Sequence, residues 1–274
     1  MAFRQSRNTQ TKTILAIVGT ATLVIATFLI PQQLAQAAKS YTVTGSGQLL
    51  PDMRPVRETI MDNDLVKDPN TGKILLRFAG GIGNYGPGTI EVVGKRDTVD
   101  RNNNVMPAFQ RIYSANGTFT EVNVGELTYH PAHHHYHFVN AVSYSLIDPS
   151  NGNVVVSSAK QAFCLADVAV ADSSVPNYPT APVYNRCYNS QVAEFVRMGV
   201  SPGWEDVYGK DLVGQAFDVT DLMQKPAQAY VLKVTTNPDG VLVDANNGEP
   251  QSTSVQVMIG QGVEVGVGKS RPGV

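Results

Sequence analysis

The chain has 274 residues, a length that one or two domains can fill. Hydrophobic residues make up 42% of it and charged residues 16%, a composition that is ordinary for a globular protein with a hydrophobic core. The formal net charge of −2 gives no basic footprint for nucleic acid, so we do not expect a nucleic-acid partner.

Residues 1–38 have the three-part pattern of a signal peptide. Basic side chains precede a largely apolar run at 13–30, Pro31 ends that run, and Ala35-Gln36-Ala37 reads as a small-x-small cleavage site. The run is long enough to approach a bilayer span, so the alternative is an uncleaved N-terminal anchor. Both interpretations predict a secreted or extracytoplasmic protein, with no membrane contact beyond that anchor.

The rest of the chain alternates short apolar runs with turn signals. Strands are predicted at 74–78, 142–146, 154–156 and 230–235, and at the alternating residues Val255, Val257 and Ile259. Turns are predicted at Asn116-Gly117, Asn151-Gly152 and Asn237-Pro238-Asp239-Gly240. The pattern predicts an all-β fold, an antiparallel sandwich-like single domain with long loops and little helix. That domain covers 39–264, and the tail at 265–274 is either an extra strand or a loose end.

Two further segments are predicted not to be strands. The glycine-rich segment at 80–83 is interpreted as a loop, since no helical pattern follows it as a nucleotide-binding loop would require. The segment at 190–198 is predicted to form a short helix.

All five histidines lie between His130 and His137. On a strand, His133, His135 and His137 would form one row and His134 would point the other way. On a helix, His133 and His137 would share a face instead. The flanking residues favour the strand, because alternation continues through 142–146 and because Pro131 suits a strand start better than a helix interior.

Three neutral imidazoles suit Cu(II), Zn(II), Ni(II) or Fe(II), and the affinity order favours copper over zinc. Such a set leaves coordination positions open for water, oxygen or substrate, as in catalytic sites. The alternative is an exposed polyhistidine tract with incidental metal affinity. A hydrolase triad is disfavoured, because no histidine remains elsewhere in the chain to act as its base.

Cys164 and Cys187 are the only cysteines. In an exported protein such a pair is expected to form a disulfide. Thiolate metal ligation is the alternative, and the histidines make it unnecessary.

The order of several motifs resembles the catalytic domain of lysyl oxidases over roughly residues 48–260. The motifs are Leu50-Pro51-Asp52-Met53, Leu76-Arg77-Phe78, Asn84-Tyr85-Gly86, the run from His130 to His137, Lys160-Gln161-Ala162-Phe163-Cys164-Leu165, Ser201-Pro202-Gly203-Trp204-Glu205-Asp206-Val207-Tyr208, Phe217-Asp218-Val219-Thr220-Asp221 and Tyr230-Val231-Leu232-Lys233-Val234 with Asn237-Pro238.

The resemblance implies a copper ion bound by His133, His135 and His137, with His134 left out of the metal set. It also implies a lysine tyrosylquinone cofactor made from Lys160 and Tyr208. Such an enzyme converts primary amines, small or peptidyl, to aldehydes with molecular oxygen, and releases ammonia and hydrogen peroxide. Asp206 precedes Tyr208 by two positions and is our candidate for the base that removes the substrate α-proton.

The chain departs from the animal pattern in several ways. Ala132 and Trp204 stand where the animal enzymes have cysteines. The segment that resembles the animal calcium site carries fewer carboxylates, and a solvated turn is the alternative interpretation. The candidate calcium ligands are Asp52, Asp244, Asn246 and Asn247.

Two other functions remain open. The chain could be a non-catalytic exported protein that binds copper or zinc, or a structural or adhesion sandwich domain. Neither needs both Lys160 and Tyr208, and the presence of both favours the enzyme.

Overall fold

The structure is a computed structural model that describes residues 47–96, 104–131, 133–139, 141–158, 162–187 and 190–268. Its strands, numbered in chain order, are β1 (Gln48–Leu49), β2 (Met53–Pro55), β3 (Asn63–Lys67), β4 (Ile74–Phe78), β5 (Gly80–Asn84), β6 (Ile90–Lys95), β7 (Val105–Ser114), β8 (Phe119–His130), β9 (His135–Val139), β10 (Val142–Ile147), β11 (Val154–Ser157), β12 (Ala162–Phe163), β13 (Ala169–Val170), β14 (Phe195–Val200), β15 (Trp204–Tyr208), β16 (Ala216–Asp218), β17 (Gln228–Thr236), β18 (Gln251–Ile259) and β19 (Gly266–Val267). Among the described residues, helix is limited to α1 (Arg57–Ile60) and a 3-10 turn at Leu222–Gln224.

These strands form four sheets. A seven-stranded sheet has the order β12-β9-β8-β7-β6-β14, with β1 also paired to β7. The four-stranded sheets are β11-β10-β17-β18, β13-β15-β5-β2 and β16-β4-β3-β19. Each described pairing is antiparallel except that between β3 and β19. The predicted all-β, antiparallel class is therefore confirmed.

Turn chemistry places the hairpins where the sequence predicts them. Asn116-Gly117 connects β7 to β8, and Gly117 has a φ of +82°. Gly152, with a φ of +73°, lies in the turn between β10 and β11. Glycine adopts this left-handed backbone at no steric cost, which explains why these dipeptides mark the turns.

The hydrophobic core forms where strands with alternating apolar residues pack together. On β10, Val142, Tyr144 and Leu146 are buried, while the residues between them are partly exposed. β17 pairs with β10 and buries Leu232 and Val234. Each fully buried aliphatic side chain contributes about 1.5–3 kcal/mol relative to an exposed one, so this alternation fixes the face of each strand.

The glycine-rich segment at 80–83 is not a loop, and that prediction was wrong. It forms most of β5, a fully buried strand between β2 and β15. A Cβ on Gly80 would collide with the Tyr144 hydroxyl, and one on Gly81 would collide with the Glu205 carboxyl. The glycines are there because large side chains cover this strand closely.

The helix predicted at 190–198 was also wrong. Residues from Phe195 onward form β14, which pairs with β6 over its whole length. Val196 and Met198 are buried at alternate positions, which is the strand period. Sheet pairing thus overrides the local helical preference.

The chain ends lie partly outside the described residues. The predicted signal peptide at 1–38 lies outside them, as do 39–46 and 269–274. In the tail, Gly266–Val267 pairs with β3, as expected for an extra strand. No helix in the described part of the chain is long and apolar enough to cross a membrane.

Candidate metal centre

The histidine cluster lies at the hairpin between β8 and β9. β8 ends at His130, β9 begins at His135, and these two residues face each other in the ladder. A tight turn joins them: the His133 amide donates to the His130 carbonyl at 3.0 Å, and His134 has a left-handed φ of +55°. The predicted strand row is therefore shorter than expected, because His133 reaches the cluster from the turn and only His135 and His137 belong to the strand.

The turn and strand bring the three predicted ligands together. His137 Nε2 lies 2.8 Å from His135 Nε2 and 3.3 Å from His133 Nδ1. One nitrogen from each ring fits within a 4.8 Å span, and His137 is buried. Three convergent imidazole nitrogens on a hairpin are a donor set that fits Cu(II) or Zn(II) and leaves further coordination positions open.

The other two histidines have different places. The exposed His130 stacks on His133 and His137, with ring centroids 4.2 and 5.2 Å apart. His134 is exposed, has a left-handed backbone and does not belong to the group of three convergent imidazoles.

Tyr136 lies between the two strand histidines in the sequence and points to the opposite face of β9. Its side chain is fully buried in the core. Its hydroxyl donates to the Gln191 carbonyl at 2.6 Å and is contacted by the Arg96 guanidinium. Its ring packs edge-on against Tyr129. This fixes which face of β9 carries the imidazoles.

Tyr208, the proposed quinone precursor, is the last residue of β15. Its ring packs edge-on against Phe163 with centroids 4.0 Å apart, and its hydroxyl donates to the Cys164 carbonyl at 3.0 Å. Phe163 belongs to β12 and pairs with Phe138 of β9. Tyr208 is therefore connected to the histidine strand through one intervening strand.

Asp206 shares the face of β15 with Tyr208, as the two-residue spacing predicts, and it is buried. Burial raises the pKa of the Tyr208 phenol well above its usual value, and the Asp206 carboxylate raises it further. Burial likewise raises the pKa of Tyr144, again with a contribution from Asp206. The carboxylate therefore lies beside one buried and one partly buried phenol, both of which stay protonated at neutral pH.

Lys160 lies outside the described residues, in the segment between Ser158 and Ala162. Its predicted approach to Tyr208 remains a prediction. That segment leads directly into β12, whose second residue contacts Tyr208.

The predicted disulfide between Cys164 and Cys187 is confirmed, with their Cα atoms 5.8 Å apart. Both sulfurs are therefore unavailable as thiolate ligands. The bridge closes a loop with a sequence separation of 23, which contributes roughly 3 kcal/mol by the chain-entropy estimate.

The candidate calcium residues partly fit a cation. Asp244 Oδ1 accepts backbone bonds from Asn246 and Gly248, while the buried Asp244 Oδ2 has no hydrogen-bond partner. Burial raises the pKa of Asp244, with a further contribution from Asp52. Asp52, however, already pairs with Arg54. A calcium site here, with Asn247 as a further candidate ligand, therefore remains a prediction.

Sequence reasoning missed the supporting residues. Phe163, Tyr136 and Tyr144 contact the candidate residues or their strands, yet each carries only the pattern of a core aromatic residue. The Cys164 carbonyl is a backbone group, so no residue type could have revealed it.

Comparison with known proteins gives a consistent family assignment. Residues 108–253, more than half of the chain, match the lysyl oxidase family model. The chain is 30% identical over 119 residues to lysyl oxidase homolog 1 of Homo sapiens. This aligned region covers 43% of the chain and 18% of that protein. It is 32% identical over 119 residues to the protein-lysine 6-oxidases of Gallus gallus and Homo sapiens, covering 24% and 25% of their lengths. The alignments thus span about a quarter or less of these curated relatives.

Proposed function

Because the chain belongs to the lysyl oxidase family, we propose that it is an exported, copper-dependent amine oxidase that acts on primary amines. The observation that carries the proposal is the convergence of His133, His135 and His137 on one hairpin, connected through β12 to the Tyr208 phenol. The relatives named protein-lysine 6-oxidase support the same class of reaction.

Each candidate residue has a chemical role in this proposal. The three imidazoles would hold copper as neutral donors. Lys160 and Tyr208 would be the precursors of the lysine tyrosylquinone, and a desolvated lysine loses its proton more readily than an exposed one. Bound there, copper and the quinone would supply oxygen activation and a carbonyl electrophile that condenses with amines.

Asp206 is the proposed base. A carboxylate that is buried beside Tyr208 can take a proton from the substrate carbon next to nitrogen. The overall reaction converts a primary amine, oxygen and water into an aldehyde, ammonia and hydrogen peroxide. The substrate is a primary amine, small or peptidyl.

A non-catalytic exported protein that binds copper or zinc is the second candidate. The histidine trio alone supports it equally well. The position of Tyr208 against the strand that pairs with β9 favours the oxidase, because a metal carrier has no need of that phenol.

The test uses full-length protein that is loaded with copper in air. Peptide mapping by mass spectrometry should recover Lys160 and Tyr208 as one cross-linked species, and a panel of amines should give oxygen-dependent peroxide. Tyr208→Phe, which keeps the ring against Phe163, should abolish both signals, whereas Tyr178→Phe should abolish neither. Separate, unmodified Lys160 and Tyr208 peptides from copper-loaded wild type would leave the metal-binding candidate in place.

The extracytoplasmic location belongs to the proposal as well. Fractionation should find the protein outside the cytoplasm, and N-terminal sequencing should show whether the chain starts after Ala37 or keeps its first residues. A fully cytoplasmic protein with an intact N-terminus would contradict export.

A further inference from the structure

Short segments on either side of one disulfide support both halves of the candidate centre. On the Cys164 side, Phe163 pairs with Phe138 of the histidine strand and packs its ring on Tyr208. The next residue, Cys164, supplies the carbonyl that accepts the Tyr208 hydroxyl. β12 thus contacts the metal strand and the phenol at the same point.

The segment that follows Cys187 contacts the opposite face of β9. Four positions after Cys187, the Gln191 carbonyl accepts the hydroxyl of Tyr136, the core anchor between the two strand histidines. The disulfide therefore joins the segment that contacts Tyr208 to the segment whose Gln191 carbonyl binds Tyr136 on the core-facing side of β9.

β12 is a short strand. The strand has two residues and forms the edge of its sheet, with β9 as its partner among the described strands. Two ladder pairs and the buried side chains of Phe163 and Leu165 hold this segment, and a covalent tie at Cys164 would further restrict the position of its carbonyl.

We propose that the Cys164–Cys187 disulfide is a positioning element of the cofactor site, which holds the Phe163 ring and the Cys164 carbonyl where they orient the Tyr208 phenol relative to β9. The inference rests on the proposed function, in which Tyr208 is a cofactor precursor. Without the bridge, the histidine trio still binds copper, because the β8–β9 hairpin makes its own backbone pairs. The Lys160–Tyr208 cross-link, however, forms slowly.

The main variant is Cys164→Ala/Cys187→Ala, which removes both sulfurs and keeps the backbone acceptor. It should fold, because the Leu165 carbonyl still accepts the Gly199 amide at 3.0 Å and holds this segment to β14. A second variant, Phe163→Leu, keeps the bridge and removes the ring contact. Phe195→Leu, at an exposed aromatic residue on β14, is its matched control.

The first readout needs neither metal nor quinone. Copper-free proteins are treated with tetranitromethane, and nitration of Tyr208 is measured by peptide mapping, with Tyr113 as the internal reference. Loss of one positioned hydrogen bond should speed Tyr208 nitration roughly five- to tenfold in the double variant and leave Tyr113 unchanged. After copper loading, copper content should match wild type while the cross-link forms more slowly by a similar factor.

Wild-type rates of Tyr208 nitration in the double variant would overturn the proposal. Faster nitration of both tyrosines would mean that the double variant is unfolded, and Phe163→Leu then decides. Faster nitration at Tyr208 alone in that variant supports positioning, and a rate equal to that of Phe195→Leu refutes it. A wild type that never cross-links refutes the proposed oxidase, while the nitration ratio still tests the bridge.

Discussion

Truncation of His137 is the sharpest test of the metal centre. Its Nε2 lies within 3.3 Å of a nitrogen on each of the other two candidate ligands, so His137→Ala removes the central nitrogen of the trio. Loss of a group that merely orients a ligand typically costs 10- to 100-fold in metal affinity. Loss of a ligand itself should therefore weaken Cu(II) binding by at least roughly 100-fold, or about 2.7 kcal/mol.

The matched control is His134→Ala. His134 sits in the same hairpin, yet it is exposed and outside the trio. We expect the copper affinity of this variant to stay within about twofold of wild type, since the proposed site does not use the His134 imidazole. Both variants are titrated with Cu(II) against a chromophoric chelator, and bound copper is counted by elemental analysis.

The pattern across the cluster decides the interpretation. His133→Ala and His135→Ala should resemble His137→Ala, and about one copper should bind per wild-type chain. Similar losses from His134→Ala and the three ligand variants would refute the site and indicate a disordered chelating tract.

Three other predictions concern carboxylates. Lys73 and Thr220 hold the pKa of Asp218 at about 2, below its unfolded value, so this group stabilises the fold above pH 4 and the effect is lost as the pH falls towards 2. Asp218→Asn should remove this pH dependence, which amounts to at most about 1 kcal/mol in the free energy of unfolding. Thermal unfolding across the same pH range measures it, and a pH dependence equal to that of wild type would contradict the prediction. Millimolar calcium should raise the melting temperature of wild type but not of Asp244→Asn, and equal shifts would exclude this site. Asp206→Asn should form the Lys160–Tyr208 cross-link yet lose about 100-fold or more in amine turnover; wild-type turnover would assign the base elsewhere.

The histidine trio was predictable because its information is local. The alternation of His135, Tyr136 and His137 fixes which side chains share a face once the segment is a strand. The contribution of His133 from a turn was less accessible, since it depends on the left-handed backbone of His134. Residues such as histidine adopt that conformation only occasionally, and the sequence carries no sign of it.

Errors arose where tertiary contacts outweigh local preference. The segment 80–83 looks like a loop because glycine usually marks one, but the reason for its glycines is the side chains of Tyr144 and Glu205 on other strands. β14 resembled a helix until its pairing with β6 was known. The same holds for Phe163, whose contact with Tyr208 joins residues distant in the chain.

β9 carries two candidate metal ligands on one face and a core tyrosine on the other, and this limits which substitutions the strand can accept. His135 and His137 alternate with Tyr136, so a slip of one residue against β8 would exchange imidazoles and phenol between surface and core. His135 and His137 lie in the ladder against β8, whereas His133 lies in the turn before it. For the proposed metal site, we therefore expect variation in metal preference, natural or designed, to arise first at His133, because the positions of His135 and His137 depend on the register of β9.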